Sequence, residues 1–169
     1  MIPLSKYLDS AGASDAALSE LNNVLWTMVP FNKPHELKII RVEKDGITIG
    51  ADLISSNENH IKGIHACVLA ALCEYVVGIN LLTRISQTEY RLIMKNLNME
   101  YHYQAKSSVK VKWTLSDEEL SNQILEPLKE NDVVFCTFQT EVFDTDGNHI
   151  CTGKTNWQIK AWNKVNSKI

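Results

Sequence analysis

Apolar and polar positions along the chain change period several times, and each change marks an element. Leu18, Leu21, Leu25 and Met28 fall at helical spacing behind Ser14, a residue suited to capping a helix, and Pro30 and Pro34 stop it. Residues 37–42 and 47–53 read as two strands joined around Asp45-Gly46, a strong hairpin signal. In the second, Ile47, Ile49, Ala51 and Leu53 alternate with Thr48, Gly50 and Asp52. Residues 64–82 are apolar almost throughout, long enough for about five helical turns, and carry a single carboxylate, Glu74, at mid-length. Residues 89–103 then read as a long strand with Tyr101 and Tyr103 on one face. After a turn at 106–108, Val109, Val111, Trp113 and Leu115 alternate with Lys110, Lys112 and Thr114. Ser116 opens a capping box with Glu119, so a short helix is predicted to about residue 125, before Pro127. Residues 133–143 and 150–162 close the chain as a hairpin around 144–147. One helix on a mostly antiparallel sheet is an α+β pattern.

Composition narrows the picture without changing it. A chain of 169 residues fits one domain, here with an N-terminal helical extension over about residues 1–30. The net charge of −3 and the lack of a basic run argue against a nucleic-acid partner. The first ten residues lack the features of a signal peptide, so a cytoplasmic location is expected. The 64–82 stretch contains His65, Glu74 and Asn80, and an acid at mid-bilayer costs roughly 2.5–3.5 kcal/mol, so a buried helix is expected and no membrane partner. The four cysteines, Cys67, Cys73, Cys136 and Cys151, form no Cys-x-x-Cys pair, which gives a metal site no support, and no cofactor is expected. Counting from the last turn sets Cys136 opposite about Thr155, too far from Cys151 for a disulfide; reduced thiols are expected.

The polar loop leading into the long helix, with its Asn-His-x-x-Gly-Ile-His-Ala-Cys segment at 59–67, resembles the hotdog-fold thioesterase-like superfamily. It looks like the branch that includes phenylacetate-degradation acyl-CoA thioesterases, and is closest to an uncharacterised thioesterase-like family there. The resemblance spans roughly residues 30–162 and implies a sheet wrapped around one central helix. Thioesterases of this branch show Asn, then His-Gly-Gly six residues on, then an acid nine residues later. Asn59, His65-Ala66-Cys67 and Glu74 stand at those offsets. Ala66-Cys67 replaces the glycine pair, Glu replaces the commoner Asp, and Met94 falls where some relatives carry a helpful Ser or Thr.

Thioester hydrolysis needs an activated water or nucleophile and donors aimed at the developing oxyanion. A helix N-terminus offers free N–H groups and positive dipole charge, and the Ala66 N–H matches the first glycine of the pattern. Asn59 would hold the water or the carbonyl, and Glu74, desolvated, would be general base or nucleophile. His60, Gly63, His65 and Cys67 are the residues expected to line an acyl-CoA or acyl-carrier thioester. Ala66 and Glu74 are eight residues apart, roughly 12 Å along one helix, whereas reacting atoms meet at about 3–3.5 Å. The acid would therefore come from the antiparallel helix of a second copy, in a homodimer or a dimer of dimers, with Val76, Val77 and Leu81 or neighbouring helix and strand positions expected at the interface. Two alternatives stay open. One is a hotdog dehydratase or hydratase using His60 and Glu74, fourteen residues apart. The other is a non-catalytic acyl-CoA-binding dimer.

Overall fold

The computed structural model describes residues 7, 11, 12 and 14–165. In chain order the elements are α1 (Asp15–Met28), β1 (Lys38–Glu43), β2 (Gly46–Ala51), α2 (Ala66–Arg84), β3 (Tyr90–Tyr101), β4 (Val109–Thr114), a composite helix α3 (117–130), β5 (Val133–Asp144) and β6 (His149–Ala161). The strands form one six-stranded antiparallel sheet in the order β1-β2-β4-β5-β6-β3. The α+β architecture is the one the periodicity predicts, and the long apolar stretch is a core helix. Leu72, Val76, Val77 and Leu81 of α2 are fully buried beneath the inner faces of the strands, among Ile49, Val111, Val142 and Ile159. Part of the expected 1–30 extension lies outside the described residues. What is described of it is α1, where Ser14 Oγ accepts the Ala17 N–H at 3.2 Å and Leu21 and Leu25 point inward.

The two edges of the sheet are treated differently. α1 covers the β1 edge: Asn22 Nδ2 donates to the Ile39 carbonyl at 2.9 Å, its Oδ1 accepts the Ile39 N–H at 2.8 Å, and Trp26 Nε1 donates to the Leu37 carbonyl at 2.8 Å. Backbone groups that an edge strand would leave to solvent are thus satisfied by side chains. β3, at the other edge, is twelve residues long and bonds only to β6. A bulge at Lys95 shifts its phase, since Met94 pairs with Trp157 and Asn96 with Asn156. Leu92 and Met94 before it, and Leu97, Met99 and Tyr101 after it, therefore share the inner side, all opposite inward residues of β6.

Several sequence expectations are corrected. The hairpin turn is Lys44-Asp45 and Gly46 already belongs to β2; a Cβ there would lie 2.6 Å from Thr114 Cγ2 and 2.7 Å from the Trp113 carbonyl, so close strand approach demands the glycine. The β3 strand stops at Tyr101, leaving Tyr103 beyond it. The capping box is present, with Ser116 and Glu119 bonded reciprocally, but the helix does not stop before Pro127. A π turn over Ser121–Leu125 carries it to Glu130, because a proline N–H is not there to bond the preceding turn. The Gln123 carbonyl accepts the Cys136 thiol at 3.5 Å instead. Cys136 faces Trp157 rather than Thr155, and Cys151 faces Val142; all four cysteines are free thiols. Val76, Val77 and Leu81 are sealed under the chain's own sheet, so they are not available to an interface.

Candidate active site at the start of the central helix

The loop before α2 is shaped by two asparagines. Asn57, wholly buried, donates Nδ2 to the carbonyls of His35 and Asp52, both at 2.9 Å, and its Oδ1 accepts from His35 Nδ1 at 3.0 Å. Its own carbonyl takes the His65 N–H at 2.7 Å, tying the loop to the residue that caps the helix. The sequence shows Asn57 only as a polar loop residue, because His35, which it bonds twice, lies 22 residues away. Asn59 Oδ1 accepts the N–H groups of Ile61 and Gly63, both at 3.0 Å, an Asx-type closure of the loop. Its Nδ2 reaches the Ile64 carbonyl at only 3.4 Å. His60 is exposed on this loop.

Gly63 is demanded by close approach. A Cβ there would lie 2.7 Å from the Ala105 carbonyl, the same carbonyl that accepts the Ile64 N–H at 2.9 Å. His65 is the N-cap of α2, and its Nδ1 accepts the Cys67 N–H at 3.1 Å. With Val68 and Leu69 bonded to the His65 carbonyl, the Ala66 N–H is the first-turn donor with no acceptor among the described residues. The Ala66 carbonyl in turn accepts the Tyr101 hydroxyl at 3.2 Å, a tie from β3 across 35 residues that no local spacing suggests.

The structure therefore gathers Asn59, Gly63, His65, Ala66 and Cys67 into one corner. Glu74 lies two turns along α2, roughly 12 Å from Ala66. The exposed and half-exposed side of α2 is a run of small residues, Ala66, Cys67, Ala70 and Ala71, followed by Glu74. Glu74 is half-buried, and no cation or donor among the described residues meets it; burial alone holds its carboxyl above the usual range. On β6, Thr155 Oγ1 and Trp157 Nε1 are buried with no hydrogen-bond partner among the described residues. Met94 faces inward opposite Trp157. Cys73 and Cys151 share a hydrogen bond in the core, which, with burial, holds the Cys151 thiol above its usual range.

A cavity of about 300 Å³ opens at this end of α2, walled by His65, Cys67, Val68 and Ala71 of the helix region and by Phe31 and His35 of the connector after α1. Another, of about 430 Å³, lies at the opposite end of the helix among Glu43, Lys44, Asp45, Asn80 and Arg84. Its charged walls stand apart from both Ala66 and Glu74. Among the described residues no three His, Cys, Asp or Glu side chains cluster as metal ligands.

Residues 19–159 match the model of a family described as a domain of unknown function, DUF4442. The chain belongs to the DUF4442 family. No curated protein matches it. Solved structures match this DUF4442 protein over most of its length. A Pseudomonas aeruginosa protein of unknown function superposes with a TM-score of 0.76 at 19% identity, covering 85% of this chain and 95% of that one. A thioesterase of Haemophilus influenzae gives 0.67 at 12% identity, covering 89% and 94%. A variant of a Staphylococcus aureus thioesterase gives 0.60 at 12%, covering 78% and 98%. At these identities the likeness establishes the fold, which is the hotdog.

Proposed function

We propose that this DUF4442 protein hydrolyses an acyl thioester, carried on CoA or an acyl carrier protein, at a site shared between two copies of the chain. The observation that carries the reading is the pairing on one open helix face of an unpartnered N–H at Ala66 with an unpartnered, desolvated acid at Glu74. The Ala66 N–H, at the positive end of a nineteen-residue helix, is suited to the oxyanion that forms when the carbonyl is attacked. Glu74, its carboxyl poised above the ordinary range by burial, is suited to take a proton from water or to attack directly.

The roughly 12 Å between them supports a site whose two groups come from different copies. Support for pairing comes from the contrast between the edges: β1 is covered by Asn22 and Trp26, while β3, paired with β6 on one side, leaves its outward row of backbone groups open among the described residues. The face that would meet the second helix is the line of Ala66, Ala70 and Glu74, which leaves Cys67 and Ala71 to the cavity beside it, in place of Val76, Val77 and Leu81. Asn59 keeps its amide oxygen on the loop backbone, so its part is to hold the Gly63–Ala66 corner in shape, with Nδ2 left to reach substrate.

The test is free-thiol release from a panel of acyl-CoA substrates by the wild type and by Glu74→Gln. Turnover that falls on the order of 10²–10⁴-fold in the variant supports the reading. Wild-type turnover in the variant, or no hydrolysis of any thioester by the wild type, would overturn it.

A further inference from the structure

The cavity beside Ala66 has walls that a thioester's acyl part would meet. It is about 300 Å³ in volume, and its helix side is made by Val68 and Ala71, one turn beyond the two residues that flank Ala66, His65 and Cys67. On the other side stand Phe31 and His35, whose rings lean together at 5.3 Å between centroids. His35 is held there by Asn57, so this wall is anchored in the core. A carbonyl oxygen on the Ala66 N–H leaves two directions for the rest of the substrate. The nucleotide and pantetheine of CoA are much too large for 300 Å³ and must run to solvent, so the acyl group is the part that fits inside.

We infer that this cavity is the acyl pocket and that the substrate is a short- to medium-chain acyl thioester, a conclusion that rests on the thioester-hydrolase reading for the carbonyl's position. A methylene occupies about as much space as a water molecule in the liquid, ~30 Å³, so the pocket takes about ten carbons at most. The wall residues set the limit: Ala71 keeps the helix side open, and Phe31 closes the outer end. Long-chain acyl groups overrun the pocket.

Cys67 supplies a reporter independent of turnover, because it is the exposed cysteine of the four while Cys73, Cys136 and Cys151 are buried. Iodoacetamide labelling, followed by peptide mass spectrometry, is run with S-octyl-CoA thioether, with S-hexadecyl-CoA thioether and with CoA. S-octyl-CoA is expected to slow Cys67 alkylation by about tenfold or more, and CoA and the hexadecyl thioether much less. Equal labelling in all three overturns the proposal. In parallel, Ala71→Leu is expected to lower the octanoyl-to-butanoyl ratio of kcat/KM by about tenfold. Phe31→Ala, at an exposed side chain with little risk to folding, is expected to move the optimum to longer chains. Ratios unchanged in both variants overturn the pocket while leaving hydrolysis intact. Protection of Cys67 by S-octyl-CoA in a protein that hydrolyses no thioester supports the pocket and refutes only the hydrolase reading.

Discussion

Trp157 crosses the central helix at Gly78, its Cη2 3.0 Å from where a Cβ on that glycine would stand, and Glu74 Oε1 is 3.5 Å from the same point. A glycine inside a helix costs about 1 kcal/mol relative to alanine. Here its bare backbone admits the indole next to the half-buried carboxyl.

Burial raises the Glu74 pKa in the folded state, so the folded protein holds that proton more tightly than the unfolded chain. Ionising Glu74 then opposes folding: stability is greatest below the unfolded value, about 4.3, and falls as pH rises through the folded value. Glu74→Gln is expected to melt above the wild type at pH 7, with the advantage gone by about pH 4. Thermal unfolding of both proteins across that range checks it, and a variant that melts lower at pH 7 would show that the ionised carboxylate is held by a partner.

Ala66 is the first residue of the helix, and His65 before it sits at φ −67°, ψ 139°, a conformation a following proline accepts. Ala66→Pro therefore removes one N–H and little else. Hydrolysis is expected to fall about 10²–10³-fold, the loss typical for one oxyanion donor, with a melting temperature near that of the wild type. Full activity would remove Ala66 from the site.

Ala66→Pro and Glu74→Gln also test whether a site is shared. In a mixed dimer one site collects both defects and the other neither. With random exchange half the dimers are mixed, so about a quarter of wild-type activity returns. Tagged co-purification verifies exchange; proven exchange with no recovery rejects the shared site.

Gly63→Ala would push a Cβ to 2.7 Å from the Ala105 carbonyl and disturb the Ile64–Ala105 hydrogen bond. Loss of about 1–3 kcal/mol is expected from the overpacking, together with faster amide exchange at Ile64 and His65. Denaturant unfolding and hydrogen exchange measure the two effects.

What the sequence made legible was whatever has a short period. The alternation Ile47, Ile49, Ala51, the capping box at Ser116 and the run before Leu82 each declare an element locally, and the loop-to-helix spacing of Asn59, Ala66 and Glu74 survives as one corner and one open face. What it hid depends on distant partners. Asn22 reads as another polar helix residue until β1 lies beside it, and Gly46 reads as a turn until Trp113 approaches. The bulge between Val142 and Phe143 adds a residue against the regular count in the last hairpin, so the register of Cys136 counted from its turn drifts, and the bulge at Lys95 likewise breaks the alternation of β3. For the same reason Val76, Val77 and Leu81 looked like interface when the sheet already covered them.

The bare β3 edge has a further consequence, for solubility. A long strand with open backbone groups and Ile93 on its outer side is a template for any other strand it meets, and only the bulge and a few charges oppose that. If a second copy is what normally occupies it, pairing protects the chain as much as it completes a site. Variants that weaken the pair would then announce themselves by turbidity and inclusion bodies during expression, before any kinetic assay registers a loss.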